Sequence, residues 1–306
     1  MQMFRERLPA PRLVRYITCV WVQQVSAGSS AYVQRTVPHG SVELVCEVGA
    51  GPRVVGPETG PTQHVLVPGS SVVGVRLRPG AAPAVLGLPA SELVDLVVSP
   101  DEFWRGSAVA LGEKLAAAAS LEQGAAALEA GVSRRLPAES CLDPIVEEVV
   151  RRLIRGRPSA VRALASSVGI SERQLRRRCV AATGFPPTVL HRMLRLQRFL
   201  AVMGRHGHAS GELALMALEA GFADQAHLSR EALRLAGRSP GAIVREAALH
   251  CRGHHDHSAS YGPLLGSAPW RPGRMSDSFK TPVGRVSTLE GRPVGSRGVP
   301  AALGAR

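Results

Sequence analysis

The chain has 306 residues, 45% of them hydrophobic, with 37 Lys and Arg against 24 Asp and Glu, a formal charge of +13 at neutral pH. That apolar share is enough for two domains, each with its own core; no run of eighteen apolar residues occurs and Met1 to Pro11 holds no export signal, so a cytoplasmic protein with no membrane partner is expected. The five cysteines, at 19, 46, 141, 179 and 251, are odd in number and never form C-x-x-C, which argues against disulfides and a zinc knuckle and leaves reduced, buried thiols.

In chain order, strands come first. Tyr16 to Gln23, Val42 to Val48, His64 to Val67 and Ser71 to Pro79 are rich in β-branched residues and separated by Pro and Gly turns. In the last of these, Val73, Val75 and Leu77 alternate with Gly74, Arg76 and Arg78, which gives one apolar face. From Pro89 the pattern turns helical: Ser91 caps a segment carrying Leu93, Leu96 and Val97, and Asp101 with Phe103 and Trp104 starts another. The alanine-rich stretch from Leu111 to Ala130, interrupted at Gly124, reads as a helical pair.

Catalysis finds little support in this first section. His39, Glu43 and His64 are the one set that suggests a cupin-type metal site, yet no His-x-His pair is present and His39 stands between Pro38 and Gly40, as a turn histidine does. No Ser, His and Asp arrangement suggests a nucleophile, and no GxxxxGK loop is present. No catalytic residue, metal ligand or cofactor is therefore assigned.

The charge is unevenly placed. Residues 1–140 hold 12 basic and 12 acidic residues, 141–250 hold 17 and 9, and 251–306 hold 8 and 3. A basic domain behind a neutral one fits a nucleic-acid module joined to a part with a different partner.

Within the basic section, Ser171 to Thr183 (SERQLRRRCVAAT) has its own start and stop signals. Ser171 with Gln174 three residues on forms a capping box, and Gly184 ends the helix. Leu175 and Cys179, four apart, mark the inward face and leave Arg173, Arg176 and Arg177 outside. Arginine suits that face because its planar fork pairs with guanine O6 and N7 or grips a phosphate. Upstream, Leu164, the small Ala165 and Gly169 complete a helix-turn-helix, with Leu175 plugging the angle between the helices. A second copy follows: Ala217 and Gly221 repeat the spacing, Leu228 is the plug, Asp224 is the cap, and Gln225, Ser229 and Arg230 face outward. Pro186 and Pro187 open the helix that joins the copies, which runs to about Gly204 with Val189, Met193, Leu200 and Met203 as its apolar stripe.

Residues from about Asp143 to Glu246 resemble the DNA-binding domain of the AraC/XylS family of bacterial transcription regulators. The likeness is carried by Leu164, Ala165, Gly169, Ser171, Arg173, Leu175, Arg177, Gly184 and Pro187, and again by Leu213, Ala214, Ala217, Gly221, Phe222, His227, Ser229, Arg230, Gly237, Ser239 and Pro240. Cys179, Leu228 and Ala232 stand where the family has Phe. A core Phe replaced by Ala costs on the order of 3 to 5 kcal/mol, so the second unit is expected to be the more loosely packed. Arg35 to Val45, Val54 to Pro61 and Val73 to Leu93 also look like the N-terminal domain of a poorly characterised subset of these regulators. The resemblance covers about residues 1–248. It implies double-stranded DNA as partner and a sensor in front, and leaves open a small-molecule effector, RNA polymerase and a second copy of the chain.

Beyond about residue 250 the chain is rich in Gly, Pro and Ser, without periodicity, and reads as a disordered basic tail; His254, His255, Asp256 and His257 read as a solvated run in it. The expectation is an α+β chain: a β-rich N-terminal regulatory domain with helices over 1–139, an all-α domain of two helix-turn-helix units joined by a linker helix over 140–249, and the tail over 250–306. The function expected is sequence-specific transcription regulation. The alternative is a non-specific basic or architectural DNA-binding protein; a metalloenzyme with an accessory DNA domain ranks third.

Overall fold

Strand formers dominate the first eighty residues, and a computed structural model, which describes residues 2–104, 106–136, 142–155, 160–206, 212–250 and 255–265, arranges them in two sheets. The strands are β1 (Gln2–Arg7), β2 (Ile17–Val25), β3 (Tyr32–Thr36), β4 (Glu43–Glu47), β5 (Arg53–Val55), β6 (Thr62–Leu66) and β7 (Ser71–Leu77). β2, β4, β6 and β7 occupy the four stretches the sequence marks. β1, β3 and β5 it does not mark. β1 reads QMFRER, with no alternation, and is held by six residue pairs to the long β2, from Gln2 opposite Val25 to Arg7 opposite Val20.

With β8 (Val97–Val98) and β9 (His255–Asp256) at its edges, the large sheet has the order β8-β5-β4-β7-β2-β1-β9, and β3 pairs with β6 separately. Val73, Val75 and Leu77 of β7 share one buried face with Val20, Val22 and Leu44, as the alternation requires. Helices α1 (Ala82–Leu86), α3 (Gly106–Ala116) and α4 (Leu121–Arg135) cover that face, with α4 lying across β7 and β2. The opposite face carries Phe4, Cys19 and Trp21. Trp21 lies opposite Gly74, where a Cβ would come within 2.1 Å of the indole, so only glycine leaves room for that ring.

Two expectations for the connecting region need correction, while the helix expected from Asp101 is present. The segment after Ser91 is not a helix. Ala90–Glu92 form a single 3-10 turn, and Val97–Val98 become β8, paired to Val54 and Val55 of β5. A two-residue strand is made by its partner and leaves no periodic trace. Asp101–Trp104 is a short α2, after which α3 begins at Gly106. The break in the alanine-rich stretch falls at 117–120, where the Ser120 side chain accepts from Gln123 N, while Gly124 stays helical against Val73.

From Pro144 the chain is helical: α5 (Pro144–Ile154), α6 (Val161–Ser167), α7 (Glu172–Thr183), α8 (Pro187–Arg205), α9 (Leu213–Glu219), α10 (Gln225–Ala236) and α11 (Pro240–His250). One continuous core joins them, from Val149 and Leu164 through Leu190, Leu196 and Phe199 to Met216, Phe222 and Leu228. Leu228 and Ala232 are fully enclosed in it.

Part of the expected tail also differs. His255–Asp256 form β9, parallel to Phe4 and Arg5 of β1, and Ser258–Leu265 form α12, which packs on α8, β1 and β2. Average composition hides the anchors: Ala259 and Leu264 are buried, and His257 stacks on Phe4 and Tyr261, with ring centroids at 4.7 and 5.2 Å. His255 and His257 are therefore packed against the sheet and not part of a solvated run. His254 and the tail from 266 onward lie outside the described residues.

Candidate DNA-reading site

The first helix-turn-helix is α6 and α7. Ser171 Oγ accepts from Gln174 N at 3.2 Å, and Gln174 Oε1 accepts from Ser171 N at 3.0 Å, so two backbone donors at the start of α7 are satisfied reciprocally. Gly169 in the turn has φ of 72°, a conformation that costs a side-chain-bearing residue. Leu164, Ala165, Leu175 and Cys179 are buried where the two helices meet. Burial pushes the Cys179 thiol up to about 12, with Asp143 adding to the shift, so the side chain is an inert apolar filler.

This packing turns Arg173, Arg176 and Arg177 outward, and all three are exposed. Among the described residues none of them has an ion pair or a side-chain hydrogen bond. Their neighbour Arg178 does, with Nη1 donating to Asp143 Oδ2 at 2.8 Å. One of the four arginines of α7 is thus paired within the fold, and the other three are exposed without an ion pair among the described residues.

The second helix-turn-helix is α9 and α10. Asp224 Oδ1 accepts from His227 N at 2.6 Å and starts α10; Ala217, Phe222 and Leu228 are buried beneath it, and Gly221 has φ of 87°. Gln225 and Arg230 are exposed, and their side chains have no such partner among the described residues. Ser229 differs: it is half-buried, and its hydroxyl donates to the Gln225 carbonyl at 2.9 Å, so it can offer only a lone pair outward. The structure thus brings Arg173, Arg176 and Arg177 together on one helix and Gln225, Ser229 and Arg230 on another, with α8 between.

The strand-rich part touches the reading helices directly. A Cβ on Gly184, at the end of α7, would lie 2.8 Å from Val94 Cγ2 and 2.9 Å from Pro57 Cγ, and Ser91 borders a shallow hollow with the three outward arginines. Gln197 of α8 donates to the carbonyls of Val37 and Pro38 at 3.2 and 3.1 Å, and Arg15 pairs with Glu147 of α5 at 2.7 Å.

Between the sheet face that carries Cys19 and Arg76 and helices α5, α8 and α12 lies a cavity of about 420 Å³, walled by Val150, Ile154, Leu194 and Leu264 with Arg76, Arg78 and His39 at one side. Arg76 Nε lies 2.6 Å from Glu43 Oε1, with Glu6 behind it at 3.7 Å. Burial disfavours the Arg76 charge, but Glu43, Cys19 and Glu6 more than offset this and hold its pKa above the ordinary value. His39 is brought down to about 4 by burial and by Arg76, so it is neutral at physiological pH. Arg78 donates to the Val14 carbonyl and has no carboxylate within ion-pair distance among the described residues. His39 and Glu43 therefore belong to a charge cluster around Arg76; His64 sits on β6, and among the described residues no group of side chains is placed to hold a metal ion.

No helix among the described residues is long and apolar enough to cross a membrane. Residues 164–246 match the family described as a helix-turn-helix domain, and residues 5–99 match a domain of unknown function, DUF6597. No curated protein matches the chain. Among solved structures, an apo variant of ToxT from Vibrio cholerae is 12% identical, with 78% of this chain and 99% of that chain covered and a TM-score of 0.41. Wild-type ToxT bound to an unsaturated fatty acid is 10% identical, with 80% and 94% covered and a TM-score of 0.38. Likeness of that degree carries neither a ligand nor an arrangement across. The two helix-turn-helix units, their capped reading helices and the family match together identify the chain as a DNA-binding transcription regulator built on an AraC-type helix-turn-helix domain.

Proposed function

We propose that the protein reads two successive major-groove segments of one duplex, with Arg173, Arg176 and Arg177 of α7 in the first and Gln225, Ser229 and Arg230 of α10 in the second, inside the cytoplasm and with no catalytic step. The observation that carries this is the contrast on α7: Arg178 is paired within the fold, while its three outward neighbours have no ion-pair partner among the described residues. Guanidinium forks so placed suit guanine edges and phosphates.

In this proposal residues 1–139 regulate and residues 140–249 bind DNA. The coupling runs through Val94 and Pro57 at Gly184 and through Val37 and Pro38 at Gln197. A small-molecule effector in the cavity beside Arg78 would touch both parts at once, since α5 and α8 form one wall and the sheet the other. An effector that prefers one arrangement by 1 to 3 kcal/mol changes DNA affinity roughly 5- to 150-fold, and DNA changes effector affinity by the same factor. A second copy of the chain and RNA polymerase are further partners consistent with this role.

Competition between a selected site and random duplex DNA tests the central assignment. A sequence-specific regulator prefers its site by ~10³ or more. Equal affinity for both would support the architectural alternative, in which the arginines grip phosphates alone.

A further inference from the structure

The linker helix α8 carries a cationic stripe that the two reading heads do not use. His191, Arg195 and Arg198 are spaced i, i+4 and i+7, which places them within roughly 60° of one another around the helix. Leu190, Met193 and Gln197, which meet Gly40, Val37 and Pro38 of the strand-rich part, occupy the other side. The stripe therefore looks away from the regulatory part.

Its charge is not matched within the fold. Arg192, on the flank, is paired with Glu231 of α10 at 2.6 Å, but neither Arg195 nor Arg198 has a carboxylate within ion-pair distance among the described residues. The titratable and charged groups around them are Glu231, Arg192, His227 and Arg205, of which only Glu231 is acidic. Three polar atoms on this one face, His191 Nε2, Arg195 Nε and Arg198 Nε, are buried without a hydrogen-bond partner among the described residues. Half-buried cations without a paired carboxylate cost free energy, which an incoming anion relieves. Burial lowers the pKa of both arginines below the ordinary value, partly opposed by Glu231 at Arg195 and reinforced by Arg205 at Arg198, and it brings His191 down to about 4, so His191 faces the anion as a neutral group.

Position says which anion. Arg195 lies over the Phe222 ring at 5.0 Å and beside His227, in the turn and first turn of the second reading unit, and α7 packs on α8 as well. α8 has 19 residues and is roughly 28 Å long, close to the ~34 Å repeat of the duplex. A duplex engaged by both heads must carry its intervening backbone past the middle of this helix.

We propose that α8 is a third DNA-contacting element, in which Arg195 and Arg198, with His191, hold phosphates of the backbone between the two major-groove segments read by α7 and α10. The inference rests on the two-headed docking above. It predicts contacts that are blind to sequence: they set affinity and register, not base preference.

The test uses the full chain with Arg198→Gln, Arg198→Lys and Arg195→Gln, titrated against a selected site, its single-base variants and random duplex over a range of salt. Arg198→Gln should weaken all of these DNAs by the same factor, on the order of tenfold. It should reduce the slope of log affinity against log salt by about 1, leaving the ranking of sites unchanged. Arg198→Lys should restore the slope. Because Arg195 also packs on Phe222, its variant is scored only where the thermal midpoint is kept, and Arg198 decides the matter otherwise. An unchanged salt slope for Arg198→Gln, or a slope change that Lys does not restore, overturns the proposal. Should Arg177→Ala flatten one base position while Arg198→Gln changes nothing, only the role of α8 falls; should neither matter, the two-headed docking falls with it.

Discussion

Arg178 and Asp143 lie 2.8 Å apart, and the same carboxylate caps α5 by accepting from Ile145 N and Val146 N, so this arginine ties the reading helix to the start of the domain. Arg177, the preceding residue, faces outward without a partner among the described residues. The two adjacent side chains should therefore fail differently. Arg177→Ala should cost about 1 to 3 kcal/mol on the preferred site and flatten discrimination at one base position. Arg178→Ala should leave the base preference intact and lower thermal stability by up to about 1 kcal/mol, since the pair is half-exposed. Titrations against a set of single-base variants, beside melting curves, separate the outcomes; the same loss of preference from both would contradict the assignment.

Val94 and Gly184 meet where the strand-rich part abuts the end of α7, close to the hollow shared by Ser91 and the outward arginines. If this contact biases the DNA-binding part, weakening it should change DNA affinity in the full chain. Val94→Ala combined with Arg15→Ala, which also removes the bridge to Glu147, should raise affinity for the preferred site by about fivefold or more, within the usual range of coupling. Affinity identical to that of the unaltered chain would mean that the contact carries no regulation.

Glu58 stands in the loop beside Pro57. Burial, with Glu43 and Asp95 nearby, raises its pKa from about 4.5 to about 7, although Thr62 donates to it at 2.7 Å. The folded state thus holds this proton more tightly than the unfolded chain does. Stability linked to it is complete below about pH 4.5 and is lost as pH rises through about 7. Glu58→Gln keeps the acceptor for Thr62 and removes the titration, so its thermal midpoint should exceed that of the unaltered chain at pH 8 and match it near pH 4.5. A gap that does not grow with pH would show that Glu58 ionises freely in the fold.

His39 follows the opposite sign. Its pKa falls to about 4, chiefly through burial and then through Arg76, while the unfolded chain protonates near 6.5. Stability linked to His39 is present above about pH 6.5 and declines as pH falls toward 4. His39→Gln should flatten the acid limb of the stability profile. A profile equally steep in the variant would assign the acid sensitivity to other groups.

Sequence and structure agree best where a side chain bonds its own neighbourhood. Ser171 with Gln174, and Asp224 with His227, mark the starts of α7 and α10 because capping is local, and Leu175 and Leu228 show the inward faces because helical spacing is local too. Elements that exist through a distant partner were not legible: β1 needs β2, β8 needs β5, and β9 with α12 needs Phe4 and α8. The same limit applies to the sites. The outward arginines of α7 could be found from spacing alone. His191, Arg195 and Arg198 carry a spacing signal as well, but it reads as the polar side of a linker until the packing of Gly40 on the far side shows which way the stripe faces. The cavity joins β7 to α5, α8 and α12, a juxtaposition no local pattern encodes.

Half-site spacing tests the two-headed account most directly. With α7 and α10 both packed on the single helix α8, the preferred duplex should contain two contacted segments one helical turn apart. Inserting about five base pairs between them turns the second segment to the far face of the duplex. The account predicts a loss of affinity of about tenfold or more and a footprint shrunk to one segment. Undiminished affinity with both segments still protected, or a footprint of one segment before any insertion, would contradict it.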